Sequence, residues 1–139
     1  MASVTETLHL SVAAPDIWNV IGDFNGLARW HPAIEGCQVT GEGVGSIRTL
    51  EVVGGLRIVE ELKDYQPGTS YSYSILEGPL PVKNYFSCLS VSAGPDGSIV
   101  TWESSFEADG VPDEIAESAV RDIYMAGLTA IRKHFSEAR

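Results

Sequence analysis

Glu60 lies between Ile58 and Leu62, so strand alternation turns its carboxylate toward the apolar side. A desolvated carboxyl resists ionisation and can act as a general acid or base near neutral pH. The plain alternative is a buried glutamate paired with a cation, because buried charges are normally paired. Arg48 is the cation that could serve. It cannot lose its charge, so it could instead hold a ligand carbonyl, phenolate or carboxylate, or polarise an enol-forming carbonyl.

Tyr73 and Tyr85 bring hydroxyls to apolar walls. Either could donate to a ligand oxygen, and Tyr85 could relay a proton; as core aromatics with satisfied hydroxyls they need no further role. Trp30 and Trp102 are flat surfaces on which an aromatic ligand could stack, whereas Trp18 belongs to the packed side of a helix. His31, beside Pro32, could be a general base at the cavity mouth, or a solvated or capping loop residue. The three histidines and two cysteines show no HxH, HExxH or CxxC spacing, so no metal site is expected and Cys37 and Cys88 read as buried free thiols. No phosphate-binding glycine loop or serine elbow points to a cofactor or a covalent mechanism.

Strands and helices must position these groups. Residues 4–12 alternate as a half-buried strand. Pro15 and Asp16 open a helix with Ile17, Trp18, Val20 and Ile21 on its apolar side. A second short helix holds residues 27–30 and stops before Pro32. Six strands are then expected near 34–40, 46–53, 56–65, 70–76, 83–93 and 98–107. Glycine- and proline-bearing turns separate them, such as Gly54-Gly55 and Pro95-Asp96-Gly97. Short connections imply an antiparallel meander. From about residue 112 to 135 the apolar period becomes helical, through Ile115, Ala119, Ile123, Gly127 and Ile131. At 1.5 Å per residue this helix is roughly 36 Å long, enough to cross a small domain. One helix cannot fill the concavity of a curved seven-stranded sheet, so a cavity with apolar walls and a few polar groups is expected. Gly127 marks either its wall or a close helix–sheet crossing.

The 139 residues suit a single domain spanning 1–139. A net charge of −10 disfavours phosphate backbones and anionic lipid, so nucleic acid is not expected as a partner. No run approaches the about 18 apolar residues of a membrane span, and no signal peptide is legible, so a cytoplasmic protein without membrane insertion is expected. Oligomeric state is left open.

The element order, with Pro15-x-x-Trp18 and Phe24, Trp30-His31-Pro32, Gly45-Ser46-Ile47-Arg48, Glu60-Glu61-Leu62, Lys83-Asn84-Tyr85, Trp102 and Gly127-Leu128, resembles the START-like (SRPBCC) superfamily. That superfamily includes polyketide cyclase/dehydrase-like proteins, plant abscisic-acid receptors and pollen-allergen-like proteins. The resemblance implies an α+β helix-grip fold: a curved seven-stranded antiparallel sheet around a long C-terminal helix, with two short helices after the first strand. Carried over by position, it implies a ligand-facing surface of Trp30, Arg48, Leu50, Val52, Ile58, Glu60, Tyr73, Ile75, Tyr85, Ser87, Trp102, Ala119, Ile123 and Gly127. The receptors' gate and latch sequences are replaced here by Gly54-Gly55-Leu56-Arg57 and Leu80-Pro81-Val82, so the resemblance implies the container and not the hormone.

The expected function is binding of a small hydrophobic, partly oxygenated molecule, aromatic or polyketide-like, without a cofactor. The alternative is a cofactor-independent cyclase, aromatase or dehydratase in which Glu60 and Tyr85 move protons and Arg48 stabilises an enolate. Glu60 discriminates the two. A raised pKa without a partner favours chemistry; a tight Arg48 pair favours structure or binding.

Overall fold

A computed structural model describes residues 2–137. β1 (Ala2–Leu10) leads into α1 (Ala14–Ile21), a 3-10 turn (Phe24–Gly26) and α2 (Leu27–Trp30). Six strands follow: β2 (Ile34–Thr40), β3 (Ile47–Val52), β4 (Leu56–Gln66), β5 (Ser70–Glu77), β6 (Val82–Gly94) and β7 (Gly97–Ala108). The chain ends in α3 (Asp113–Glu137). The strands form one antiparallel sheet of seven in the order β1-β7-β6-β5-β4-β3-β2. The two short helices carry the chain from β1 at one edge to β2 at the other, and hairpins bring it back. This is the helix-grip α+β fold expected from the sequence.

The sheet curves because it is long and bulged. Register shifts fall at Ile34/Gly36, at Val59/Glu60, at Leu62/Asp64 and at Lys83/Phe86. An unpaired residue bends its strand and increases the local twist. Two of these shifts lie in the β4–β5 ladder on either side of Glu60–Leu62, with Leu76 of β5 unpaired at the first and Lys63 of β4 at the second, so the ladder bends where it carries the buried carboxylate. At the β6 bulge Asn84 has a φ of 53°, and its side-chain amide donates to Glu107 on β7.

Alternation decides which residues the concave face receives. Tyr71 and Tyr73 on β5, Tyr85, Leu89 and Val91 on β6, and Val100, Trp102 and Phe106 on β7 are all buried. α3 covers β1 and β7 with Ala116, Val120, Tyr124, Leu128 and Ile131, which recur at helical spacing. Asp113 and Glu114 stand at the positive end of its dipole. Among the described residues, no helix is long and apolar enough to cross a membrane.

Candidate functional site

Arg48 on β3 stands directly opposite Glu60 on β4, and both side chains point into the concave interior. Arg48 is 0 % exposed and its Nε donates to Glu60 Oε1 at 2.7 Å. Its Nη1 donates to the Phe24 carbonyl at 2.9 Å and to the Tyr71 hydroxyl at 3.2 Å. The guanidinium carbon lies 4.2 Å from the Phe24 ring centre, 4.9 Å from Tyr73 and 5.4 Å from Tyr71. Such an aromatic box suits a buried guanidinium, whose flat face is weakly hydrated. One donor is left over: Arg48 Nη2 is buried with no hydrogen-bond partner among the described residues, and the same holds for Trp30 Nε1.

Burial raises the Glu60 carboxyl above its ordinary value, and the Arg48 charge and hydrogen bond oppose that rise. Burial pulls the Arg48 pKa down, but the oxygens of Tyr71, Glu60 and Tyr73 outweigh it and hold the guanidinium charged. A cation that cannot deprotonate keeps an ionised Glu60 favourable beside it.

Three tyrosines and a serine extend this polar interior toward α3. Ser87 donates to the Glu103 carbonyl at 3.1 Å. Its oxygen can then accept from Tyr124 at 2.9 Å, and Tyr124 in turn accepts from Tyr85. Trp102 Nε1 donates to the Tyr73 hydroxyl at 3.1 Å, and the Trp102 ring stacks on Tyr124 at 4.4 Å with 13° between planes. Burial drives the Tyr73 and Tyr85 phenols well up, and drives Tyr124 up to about 12 against its hydrogen bonds. All three stay protonated at neutral pH and act as hydrogen-bonding groups rather than as phenolates.

His31 is only 1 % exposed and ties the α2–β2 loop to α3. Nδ1 accepts from the Ala33 N–H at 3.1 Å, so the proton sits on Nε2, which donates to the Ile123 carbonyl at 2.8 Å. Both nitrogens are engaged in holding the backbone, which leaves no free lone pair for a general base. Burial lowers the His31 pKa; the Ile123 bond opposes this and the Arg48 charge reinforces it. A second proton would also point at the Ala33 N–H. The unfolded imidazole therefore binds protons more readily than the folded one, and stability rises with pH. The contribution is full above the unfolded value of about 6.5 and is lost as pH falls from there toward the lower folded value. Urea unfolding at pH 7 and pH 5.5 is expected to show the wild type losing stability on acidification, and His31→Gln losing less. Equal losses in the two proteins would remove His31 as the sensor.

Gly127 lets α3 come this close. A methyl group there would lie 2.8 Å from His31 Cδ2 and Trp102 Cζ3 and 3.1 Å from Trp30 Cζ3. Alanine gains about 1 kcal/mol of helix preference over glycine. Overpacking against rings held on three elements costs about 1–3 kcal/mol. Gly127→Ala is expected to lower the unfolding free energy by a net of up to about 2 kcal/mol; a stabilised variant would show that the rings have room to move.

The residues picked out by sequence are thus brought together unequally. Arg48, Glu60, Tyr73, Tyr85, Ser87, Trp102 and Trp30 share the buried interior with Leu50 and Ile58. Val52 and Ile75 are half-buried on β3 and β5, and Ala119 and Ile123 are half-buried on α3. Between α3 and the sheet, the rings of Trp102, Tyr124 and Trp30 occupy the place where the sequence predicts open space. Cys37 and Cys88 are free and half-buried. Among the described residues, no cluster of histidine, cysteine, aspartate or glutamate could hold a metal.

A hollow of about 480 Å³ opens elsewhere, between the end of α1, the 3-10 turn and strands β2 to β4. Trp18, Phe24, Val39, Leu62 and Tyr65 form its apolar walls, and Asn19, Asp23, Asn25 and Ser46 its polar lining. Sequence reasoning left out Tyr71, Tyr124 and this hollow. Tyr71 shares parity with Tyr73, and Tyr124 sits in the apolar stripe of α3, so both were legible as core. Their hydroxyl partners come from other elements and were not.

A family profile described as "Polyketide cyclase / dehydrase and lipid transport" matches residues 1–136. The chain is similar to the protein XoxI from Bacillus cereus, with 33 % identity, 99 % of this chain and 98 % of that one covered, and a TM-score of 0.94. It is also similar to a putative uncharacterized protein from Bacillus thuringiensis, with 34 % identity, 96 % and 98 % covered, and a TM-score of 0.91. Ara h 8.0201 shares the fold, at 19 % identity, 95 % of each chain covered and a TM-score of 0.76. A search of curated proteins gives no match. The fold, the matched profile and these relatives together show that the chain belongs to the polyketide cyclase / dehydrase and lipid transport family.

Proposed function

We propose that this protein binds a small hydrophobic molecule that carries a hydrogen-bond-accepting oxygen, a carbonyl or carboxylate, and that Arg48 is its anchor. The observation that carries this reading is the unpartnered Nη2 of Arg48, a charged donor held 0 % exposed among aromatic rings. A buried donor without a partner costs about 1–3 kcal/mol, more when charged, and an acceptor brought by a ligand would recover that free energy. Trp30 Nε1 is a second such donor, which makes the interior rich in donors and selects against a ligand that only donates.

The pairing of Glu60 with Arg48 at 2.7 Å supports binding over acid–base turnover. Glu60 Oε1 is already engaged by the Arg48 Nε–H, and the tyrosines are raised away from neutrality. Glu60 then balances the anchor's charge and fixes its orientation, leaving the ligand's oxygen to meet Nη2.

Matched probes test the reading. By calorimetry, 2-naphthoate is expected to bind at least about tenfold more tightly than 2-methylnaphthalene, which has a similar apolar body and no acceptor. Tenfold corresponds to about 1.4 kcal/mol, within the range of one charged hydrogen bond. Equal affinities, or no binding of either compound, would remove Arg48 as an anchor.

A further inference from the structure

The buried donor and the open hollow are neighbours with one side chain between them. Phe24 lines the hollow, and the Arg48 guanidinium lies 4.2 Å from the centre of its ring. The interior side of Arg48 is occupied by rings. There Tyr73, Trp102 and Tyr124 pack ring against ring, and even a methyl group on Gly127 would meet His31 and Trp102 at 2.8 Å. We propose that the hollow under α1 is the ligand's seat and entrance, and that Phe24 is its gate. The ring swings off the guanidinium, the ligand's oxygen reaches Arg48, and its apolar body stays between Trp18, Leu62 and Tyr65. This inference rests on Arg48 as the anchor and adds where the ligand lies and how it arrives.

Several features of the hollow fit an occupant of that kind. Its volume of about 480 Å³ suits a molecule of two or three fused rings, since small-molecule pockets run from about 300 to 1,000 Å³. Trp18 and Tyr65 meet at 6.1 Å with 52° between their planes and offer aromatic surface to a flat body. Trp18 can lie back against the chain because Gly22 has no side chain: a Cβ there would stand 2.2 Å from the indole. The polar lining, Asn19, Asp23, Asn25 and Ser46, can meet hydroxyl groups at the ligand's outer end.

The gate is built to move at its side chain only. Arg48 Nη1 holds the Phe24 carbonyl at 2.9 Å, and Asp23 caps the turn by accepting from the Asn25 N–H at 2.9 Å. With the backbone pinned at both points, rotation about the side-chain bonds is the motion left. The ring also meets the edge of Tyr71, at 5.6 Å and 83°. A single 3-10 turn is a weak element of secondary structure, and Phe24 is carried on one. An acceptor on Nη2 replaces the cation–ring attraction that the movement gives up.

Binding of 2-naphthoate, read by calorimetry and by stopped-flow quenching of tryptophan fluorescence, tests the gate with four variants. Asn19→Trp fills the hollow from an exposed position on α1, and Val39→Trp fills it from β2. Ala119→Trp places the same bulk on the α3 side. Phe24→Ala removes the gate. Filling the hollow by either route is expected to weaken binding at least tenfold, and several-fold more than Ala119→Trp does. Phe24→Ala is expected to raise the association rate at least tenfold. Two hollow-filling variants guard against one of them misfolding, which a thermal melt would reveal. Loss of binding in Ala119→Trp with the hollow-filling variants unaffected would place the ligand between α3 and the sheet. That outcome overturns the gate while Arg48 remains the anchor. Unchanged binding in all four variants would also overturn it. If wild-type protein binds 2-naphthoate no better than 2-methylnaphthalene, the anchor fails and the gate fails with it.

Discussion

Glu60→Leu is expected to lower the unfolding free energy by about 3–5 kcal/mol, the usual effect of removing one partner from a buried ion pair. The reason is asymmetric. With Glu60 gone, Arg48 remains 0 % exposed and has no way to discharge. Its bonds to the Phe24 carbonyl and the Tyr71 hydroxyl hold it in place without neutralising it. Arg48→Met leaves the opposite charge, and that charge can be removed. Burial already raises the Glu60 carboxyl, and without Arg48 nothing opposes the rise. A folded pKa above the unfolded one means that the folded state binds more protons. Stability then falls as pH rises from the unfolded value, about 4.3, through the folded value. Arg48→Met is therefore expected to be weakest at neutral pH and to recover as the solution is acidified, while Glu60→Leu does not recover. The double variant Arg48→Met/Glu60→Leu should be more stable than Glu60→Leu alone, because an apolar pair of similar volume needs no desolvation of charge. Urea titrations of the four proteins at pH 7 and pH 5 measure all of this in one thermodynamic cycle. A Glu60→Leu loss below about 1 kcal/mol would place the pair in the range of solvated surface bridges, and the donor left on Arg48 would lose its meaning as a binding group.

Trp102→Ala is the second large effect, also about 3–5 kcal/mol. Trp102 is 1 % exposed and joins the sheet to its helix. Its ring stacks on Tyr124 at 4.4 Å, meets Trp30 at 5.9 Å and His31 at 6.0 Å, and its N–H reaches Tyr73. Truncation removes apolar contact with α2, α3 and the His31 strap together, and leaves a cavity that those rigid rings cannot close. Trp102→Phe separates shape from hydrogen bonding. It retains a ring against Tyr124 and loses the bond to Tyr73, and about 1–2 kcal/mol is expected. Chemical denaturation followed by far-UV circular dichroism reads both variants. A loss under about 1.5 kcal/mol for the alanine variant would mean that the space between α3 and the sheet is already loosely filled. The ligand would then have room on that side, and the hollow under α1 would no longer be the preferred seat. Binding of 2-naphthoate to the truncated protein adds a further readout, since a new cavity beside Tyr73 would open a second place for an aromatic body.

The sequence alone determined the architecture. Period-two alternation with turn residues at regular breaks left few alternatives to a meander, and the apolar period of residues 112–135 required one long helix. Observed elements begin and end within a residue or two of those positions, because turn glycines and prolines act locally. Alternation also placed Glu60, Tyr73, Tyr85 and Trp102 on the apolar sides of their strands, since side-chain parity along a strand is a local property, while Arg48 was turned inward by the resemblance. Tertiary structure decided what those groups do. The partner of Glu60 is set by the β3–β4 register, which puts Arg48 directly opposite. The proton on His31 is set by Ala33 and by the Ile123 carbonyl on α3, a partner far away in the chain. Whether the concavity stays open depends on how the Trp30, Trp102 and Tyr124 rings interlock over Gly127, which is a matter of volumes from three elements at once. Periodicity carries the direction of a side chain but not the shape it meets, so the fold was legible and the packed interior, the spare donor on Arg48 and the hollow behind Phe24 were not.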